Sequence, residues 1–553
     1  MAEYTGEKNL PEYGGSKEST SPDVEHGQAH DIQPGQQQAL SRSLKGRHMQ
    51  MIAIGGAIGA GLFVGSGGAL HNGGPGSLVI CFIIIGCMLL VTVQALGELA
   101  VLYPVNGAFF TYACRFLDES WGFAVGWDYA INWLTILPFE ITAAGITIDF
   151  WRSDINIGVW IAVFLVVLSA IQIFGVRGYG EVEFVLSIIK ILACTGFIIL
   201  GIIIDCGGVP TDPRGYIGAH YWHQPGAFRN GFKGFCSVFV TASFAFGGTE
   251  LTGLCAAEAA NPRKSIPQAT KQVFWRISFF YVLGLFILGL VVPSDSDVLL
   301  NSSGANTKAS PFVLAIELAG IKGLPSVFNA VITISVISVA NSCTFGSTRT
   351  MQALAARGMG PKFLAYVDKH GRPIWCVLLQ IAFGLLAFVN EATAGADFFN
   401  WLLALSGLAN FFIWGSICLS HIRFRAGWKA QGHSLDELPY KASFGVWGSY
   451  FGLALNILCL IAQFYVALFV SPPHRRIPDA AAFFQAYLAA PIIIALYLGW
   501  KLYTRDWKLF VRAQDMDLLT GLRSDVDELA EEAHEKRSMG WKDYPRAMVR
   551  ALI

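Results

Sequence analysis

The sequence predicts an all-α polytopic membrane protein. Of its 553 residues, 54% are hydrophobic and 14% are charged, whereas an average soluble protein has roughly 25% charged residues. The mean hydropathy is +0.49, so very little of the chain can face water. The 39 basic and 39 acidic residues balance, which argues against a nucleic-acid partner. The 59 glycines favour close helix packing and interrupted helices.

Twelve apolar segments are long enough to cross a bilayer, since a helical crossing needs about 20 residues. Lipid offers the backbone no hydrogen bonds, so each segment is predicted to be helical unless a break is shielded inside the bundle. The segments are residues 49–69, 77–102, 124–148, 157–176, 182–204, 235–257, 274–293, 325–346, 374–390, 398–420, 445–470 and 481–500.

The segments divide the chain into three regions. We expect a disordered tail over residues 1–48, a transmembrane domain over 49–503, and a tail with a short helix over 504–553. An even number of crossings places both tails on one side, and most Lys and Arg of the loops fall on that side. The positive-inside rule therefore predicts cytosolic tails. No apolar run precedes residue 49, so no cleavable signal peptide is expected.

The first segment is unusually rich in glycine, with seven between residues 55 and 68. Each glycine inside a helix costs about 1 kcal/mol relative to alanine. The pattern favours an unwound midpoint around Ile58, Gly59, Ala60 and Gly61 over a continuous helix packed through small residues. Such a midpoint leaves the amide donors of a half-helix facing a cavity, where the helix dipole favours an anionic group.

The sixth segment carries a second predicted break, at Phe244-Ala245-Phe246-Gly247-Gly248. It lies five segments after the first, and breaks at matching positions of two halves are typical of five-plus-five inverted-repeat transporters. Freed carbonyls there would accept hydrogen bonds from an ammonium. Donors on the first segment and acceptors on the sixth suit a ligand with a carboxylate and an amine, although glycine counting alone does not name it. The two phenylalanines either line a pocket or fill the core.

Five ionisable residues lie inside the apolar segments, where a charge is costly and points to function by default. Lys190 has wholly apolar flanks and is the candidate for proton exchange, unless it snorkels to the nearby interface. Glu140 and Glu250 are candidate proton or substrate sites; an ion pair or a brace for the backbone is the alternative. Glu98 and Asp128 lie near predicted cytosolic ends, which favours a solvated or capping role.

Several long motifs carry a family resemblance. They are GAIGAGLFVGSGGAL and NGGPGSL (within 55–78), ALGELAVLYPVNGAFFTYACRFLDESWGFAVGWDYAINW (95–133), LPFE (137–140), FGGTELTGLCAAEAANPRKSIPQATKQVFWRI (246–277), GSTRTMQALAARGMGPKFLAYVDKHGRP (346–373) and SHIRFRAGWKAQGHSLDELPYKASFGVWGSY (420–450). The chain resembles the fungal amino acid permeases of the amino acid–polyamine–organocation superfamily, and within them the general amino acid permeases. The similarity runs in order over residues 45–510.

The resemblance implies a twelve-helix transporter that imports amino acids with protons at the plasma membrane. It places the substrate carboxylate and amine against residues 58–61 and 244–248. Lys190 matches the lysine whose ammonium, in proton-coupled relatives, stands where sodium-coupled relatives bind a cation. Glu140 and Glu250 match family carboxylates linked to substrate or proton binding.

One departure concerns specificity. Relatives commonly have Ser or Thr at the positions of Ala57 and Ala60. The missing hydroxyls leave backbone donors but remove a side-chain contact to substrate, which argues against a broad general specificity.

The sequence favours transport over chemistry. It has no Walker A motif and no evident nucleophile with its base, so we expect no enzyme. The 11 cysteines contain no C-x-x-C pair, so no metal is expected; the driving force is a proton gradient and no cofactor is needed. The expected partners are L-amino acids, protons and the lipid bilayer. A non-transporting amino-acid sensor, an exchanger and a channel remain as alternatives.

The tails suggest regulation. The resemblance implies that ubiquitination of N-terminal lysines withdraws such permeases from the surface, and Lys8 and Lys17 are the candidates, with ubiquitin ligase machinery as the partner. Residues 524–533 resemble a capped helix start with an acidic first turn.

Overall fold

The computed structural model describes residues 46–55, 57–151, 154–259, 262–296, 299, 310–391, 395–468, 480–520 and 522. Helices dominate these ranges and no strand is formed within them. The α-helices are α1 (Gly46–Gly55), α2 (Ser66–Leu102), α3 (Ala108–Phe116), α4 (Glu119–Ile148), α5 (Ile157–Ile173), α6 (Gly175–Asp205), α7 (Gly231–Phe246), α8 (Leu251–Leu254), α9 (Pro262–Arg276), α10 (Gly284–Val291), α11 (Pro311–Leu318), α12 (Leu324–Ala356), α13 (Ile374–Gly384), α14 (Gly395–Ala430), α15 (Gly445–Leu468), α16 (Ala480–Tyr487) and α17 (Ala489–Thr504).

Each of the twelve predicted apolar segments coincides with helical structure, so the all-helical class is confirmed. Within the described ranges, seven helical stretches are long and apolar enough to cross a membrane, and α5, α17 and the stretch Ile374–Val389 are shorter apolar helices. The seventh predicted segment is one continuous rod, because π-helical turns over Ile277–Leu283 join α9 to α10. The chain is therefore a multi-pass membrane protein.

A glycine kink separates the first two predicted segments. Gly74 has φ +81° and ψ 168° within α2, a conformation that a residue with a side chain rarely adopts. A Cβ at this position would lie 2.6 Å from the Ala227 carbonyl oxygen. The same carbonyl accepts a hydrogen bond from the Gly76 amide at 2.8 Å, so backbone from the α6–α7 loop fills the kink.

The first helix begins earlier than the sequence predicts. Helix α1 starts at Gly46, inside the tail predicted to be disordered over residues 1–48. His48 and Met49 are buried because α1 packs against α6 and α9, and Arg47 pairs with Glu181 at the surface of α6. The rest of that predicted tail, and the predicted helix at 524–533, lie outside the described residues.

The chain after α17 packs onto the bundle. The Val511 amide donates to the Leu117 carbonyl at 2.7 Å, and the Tyr103 hydroxyl donates to the Leu518 carbonyl at 2.9 Å. Lys501 is buried and its ammonium lies 3.2 Å from Asp118. Residues 505–520, called here the C-terminal strap, thereby cover the ends of α2 and α3.

Glu98 and Asp128 are buried, so the solvated role favoured by the sequence is wrong for both. The Glu98 carboxylate on α2 accepts from Arg425 on α14 at 2.6 and 2.7 Å and from the Ala442 amide at 2.7 Å. His421 lies 3.0 Å from the same carboxylate. A bidentate arginine and a backbone amide saturate this carboxylate, which fixes α2 against α14.

We predict that Glu98→Ala destabilises the fold. Removing one partner of a buried ion pair leaves the other charge buried without compensation, which costs about 3–5 kcal/mol. The melting temperature of the detergent-solubilised protein should fall accordingly. The control is Glu437→Ala, because Glu437 pairs with His433 at 2.9 Å while 44% of its side chain is exposed. Equal melting temperatures for Glu98→Ala and the unmodified protein would contradict the prediction.

Candidate substrate and coupling site

Two helix breaks meet in the middle of the bundle. Helix α1 ends at Gly55 and helical structure resumes as π-helical turns over Gly61–Gly65. Helix α7 ends at Phe246 and α8 begins at Leu251. A Cβ built on Gly61 would lie 2.6 Å from the Ala245 Cα, so the two breaks are in backbone contact. The α1 break therefore falls where the glycine pattern predicts it, whereas the α7 break begins only at Gly247, because Phe244, Ala245 and Phe246 form the last turn of α7.

The α1 break lies beside a buried carboxylate. Ile58 and Ala60 are buried, and Glu140 Oε1 of α4 would lie 3.7 Å from a Cβ built on Gly59. Glu140 Oε2 is buried with no hydrogen-bond partner in the described part of the chain. A carboxylate of the chain itself therefore lies next to the α1 break, where the sequence predicts that the helix dipole favours an anionic group.

The carbonyls at the end of α7 are not free, which corrects the expectation from the sequence. Each of the last four accepts one hydrogen bond. The pairs are Ser243 O with Asn410 Nδ2 at 3.1 Å, Phe244 O with Gly247 N at 3.1 Å, Ala245 O with the Tyr281 hydroxyl at 2.8 Å, and Phe246 O with Thr249 Oγ1 at 2.8 Å. A carbonyl has two lone pairs, so each retains one acceptor position.

Tyr281 joins the two breaks and was missed by sequence reasoning. Its hydroxyl lies 3.1 Å from the Ala57 carbonyl and 2.8 Å from the Ala245 carbonyl. The hydroxyl carries one proton, which these two acceptors share. Its ring stacks on Phe246 with centroids 4.3 Å apart. The signal in the sequence was a lone phenol inside an apolar run, because a buried tyrosine hydroxyl usually finds a partner.

The two phenylalanines of the α7 break have different surroundings. Phe246 is fully buried between Phe82 and Tyr281, which is core packing. Phe244 packs edge-on against Phe139 with centroids 4.9 Å apart. Its Cδ1 would lie 3.0 Å from a Cβ on Gly61. Phe244 is therefore the aromatic side chain that lies at the contact between the breaks.

Glu250 lies under the α7 break and holds its backbone. One carboxylate oxygen accepts from the Gly248 amide at 3.2 Å and the other from the Trp414 indole at 3.2 Å. Arg276, fully buried at the end of α9, donates to the Thr249 hydroxyl and interacts electrostatically with Glu250. This geometry matches the brace alternative. Arg276 was missed because it is the third residue of its segment, where an interfacial position was expected.

Lys190 does not snorkel. It is fully buried, and its ammonium lies 3.4 Å from Glu183 Oε1 on the same helix. Lys190 also interacts electrostatically with Glu140, which lies beside Gly59 of the α1 break; the Glu140 Oε1 would be 3.7 Å from a Cβ there. Glu183 was missed because it is the second residue of its predicted segment.

The structure therefore separates the predicted site residues into two groups. Lys190 and Glu140 belong to the α1 break, whereas Glu250 belongs to the α7 break. Lys8 and Lys17 lie outside the described residues. Within the described ranges, no three His, Cys, Asp or Glu side chains converge to hold a metal ion.

Comparison with known proteins supports the resemblance seen in the sequence. The family model described as "Amino acid permease" matches residues 48–513. An uncharacterised amino-acid permease of Schizosaccharomyces pombe is 58% identical over 488 residues, covering 88% of this chain and 82% of its own. The general amino-acid permease GAP1 of Saccharomyces cerevisiae is 52% identical over 510 residues, or 91% of this chain and 84% of its own. The cationic amino acid transporter 1 of S. pombe is 54% identical over 504 residues, or 90% and 84%.

A solved structure shares the fold. The crystal structure of the Eremococcus coleocola manganese transporter superposes with a TM-score of 0.50 and 14% sequence identity. The match covers 86% of this chain and 98% of that one. At this level of identity the likeness concerns the fold alone.

We predict that Gly61→Ala blocks uptake of labelled amino acids. The added methyl meets the Ala245 Cα at 2.6 Å, and backbone cannot rotate away as a side chain does, so overpacking costs about 1–3 kcal/mol in this conformation. Gly59→Val should also abolish uptake, because its Cβ would overlap Val339 Cγ2. Gly68→Ala is the control, since nothing lies within 4 Å of its Cβ. Normal uptake by Gly61→Ala at equal surface density would argue against this contact.

We predict that Tyr281→Phe lowers the maximal rate of uptake without loss of the protein from the membrane. The ring still stacks on Phe246, but both breaks lose a shared hydrogen bond worth about 0.5–1.5 kcal/mol. Uptake is measured as a function of substrate concentration. Tyr503→Phe is the matched control, because Tyr503 is 79% exposed on α17. An unchanged rate in Tyr281→Phe would show that the hydroxyl does not hold the two breaks together during transport.

Proposed function

The chain belongs to the amino acid permease family, and from that premise we propose that it imports L-amino acids together with protons across the plasma membrane by alternating access. As a permease it is a transporter and not an enzyme. The observation that carries the proposal is the contact between the two helix breaks, where the Ala57 and Ala245 carbonyls share the Tyr281 hydroxyl and Glu140 lies beside Gly59.

The membrane arrangement in this proposal has twelve crossings. The first five and the next five form an inverted repeat, with α1 and α7 as the broken helices of the two halves. The count is supported by the helical structure at every predicted segment. Both tails lie in the cytosol, as the distribution of basic residues favours.

In this proposal the two breaks offer a hydrogen-bond donor and hydrogen-bond acceptors to the two charged groups of an amino acid. The Ala60 amide binds the substrate carboxylate at the positive end of a half-helix. The Ala57 and Ala245 carbonyls bind the substrate ammonium through their second lone pairs or in place of Tyr281. The lining around these polar groups is completed by Ile58, Gly59, Gly61, Phe244, Gly247 and Gly248, whereas Phe246 packs in the core behind them.

Proton coupling resides in the buried charges around the α1 break. Lys190 lies between two carboxylates, Glu183 at 3.4 Å and Glu140. Gain or loss of a proton in this group changes the charge that faces the substrate carboxylate. Glu250 belongs to the coupling set through the α7 break, whose backbone it holds.

Uptake by the purified protein in proteoliposomes tests the proposal. Accumulation of labelled amino acid driven by an inward proton gradient supports it, whereas binding without accumulation would indicate a sensor. Exchange that requires internal amino acid would indicate an exchanger. Competition by each of the twenty amino acids then defines the substrate range.

We predict that Lys190→Met abolishes accumulation against a gradient while substrate binding survives. Methionine preserves the length and apolar fit of the side chain but removes the charge and the exchangeable proton. Accumulation and internal pH are measured together in proteoliposomes. The role assigned to Lys190 is wrong if this variant still concentrates substrate and still acidifies the interior.

We predict that replacing Lys8 and Lys17 with Arg keeps transport normal and slows nutrient-triggered internalisation. Arginine preserves the charge but does not accept ubiquitin. Surface retention is followed by microscopy of a fluorescently tagged protein after addition of a nitrogen source. Unchanged internalisation kinetics would redirect attention to Lys45 or to another signal altogether.

A further inference from the structure

Glu183 is a buried carboxylate that no sequence motif identified. It is fully buried on α6, and both of its oxygens accept hydrogen bonds from side chains. Ser338 on α12 donates to Oε2 at 2.7 Å. Lys190 and Ser187, both on α6, donate to Oε1 at 3.4 and 3.2 Å. An isolated ionised carboxylate would be expensive here, so this set of partners is what permits the charge.

Glu183 lies between Lys190 and the surface of the bundle. It precedes Lys190 by seven residues, or about 10 Å along the helix toward the Gly175 end of α6. Glu181, two residues earlier, already has 43% of its side chain exposed and pairs with Arg47 of α1. On the side away from Glu183, Lys190 interacts electrostatically with Glu140, which lies beside the α1 break. Glu140, Lys190 and Glu183 thus form one path from the break toward this surface, and Glu181 lies outside that path.

Helix α1 closes that path. The Ser187 hydroxyl that faces Glu183 also lies 3.2 Å from the Met51 carbonyl of α1, and its single proton serves both acceptors. Two further titratable groups lie near Glu183 and Lys190 in the described part of the chain. Tyr179, one turn before Glu183, interacts with it electrostatically, and its hydroxyl lies 3.2 Å from Ser342 Oγ. Cys194, one turn after Lys190, interacts with Lys190. Movement of α1 away from α6 breaks the Ser187–Met51 contact and opens Glu183 to water.

We propose that Glu183 is the group through which Lys190 exchanges its proton with the cytosol, an inference that rests on the function proposed above. The Lys190 ammonium passes one proton to Glu183 Oε1, which leaves a neutral amine and a carboxylic acid. The acid then loses that proton to water once α1 moves. Glu183 touches neither substrate nor the breaks, so it acts on transport through Lys190.

The test separates net transport from exchange in proteoliposomes that contain the full-length protein. Net accumulation requires proton release on every cycle, whereas exchange of internal for external amino acid does not. Glu183→Gln keeps the size of the side chain and one acceptor oxygen, which can face Lys190 and Ser187, while its NH2 group can donate to the Ser338 hydroxyl. We expect it to lose accumulation and proton influx, as Lys190→Met does, while it retains exchange. Glu181→Gln, which removes the same charge from the same helix at an exposed position, should behave as the unmodified protein does.

The outcomes distinguish this inference from the proposed function. If the unmodified protein moves no protons with substrate, the proposed function itself fails. If Lys190→Met uncouples transport but Glu183→Gln accumulates substrate normally, only the proton relay from Lys190 to Glu183 is wrong. Loss of exchange together with accumulation, at an unchanged melting temperature, also overturns the relay, because it indicates a general structural role.

A second variant keeps the inference testable if Glu183→Gln does not fold. Glu183→Asp retains the carboxylate but moves it one methylene away from Lys190. We expect slower net accumulation with unchanged exchange. Net accumulation at the normal rate by Glu183→Asp would overturn the relay in that case.

Discussion

A broken helix in a membrane protein must find replacement partners for its own backbone, because lipid provides none. The rest of this structure follows from that constraint. The four last carbonyls of α7 take donors from α14, from the helical rod that follows α9, and from the break itself. Glu140 of α4 lies beside the α1 break. Three other elements, α14, the rod after α9 and α4, thus present polar groups to the two breaks.

Charge obeys the same constraint. Three of the buried acids, Glu98, Glu183 and Glu258, each have a basic donor from a distant part of the chain or from the same helix. Glu98 pairs with Arg425 across 327 residues, and Glu258 pairs with Arg349 at 2.9 Å. Such pairs are costly to break and add little stability over an apolar pair. At Glu98 the pair fixes helix position, whereas at Lys190 it holds a charge beside the α1 break.

The helices could be predicted from the hydropathy of the sequence, and the two breaks from the placement of its glycines. These properties are local, since a crossing is determined by about 20 consecutive residues. The residues that sequence reasoning missed depend instead on contacts between distant parts of the chain. Tyr281, Arg276 and Glu183 act through partners that the fold brings to them, and two of the three lie near segment ends that were expected to face an interface. Likewise α1 begins before Met49 because α6 and α9 cover His48, which no local pattern indicates.

The C-terminal strap has a consequence for synthesis. Tyr103 and its acceptor Leu518 are separated by 415 residues. At about 5–20 residues per second, a ribosome needs roughly 20–80 s to make that stretch. During this interval α2 and α3 have been made, yet their ends lack the cover of the strap. Lys501, made near the end of the interval, at first lacks its acceptors, the carbonyls of Asp506 and Lys508. A chain that stops just after α17 therefore has all its predicted apolar segments but leaves this surface open, so the strap can close only after residues 505–520 have been made.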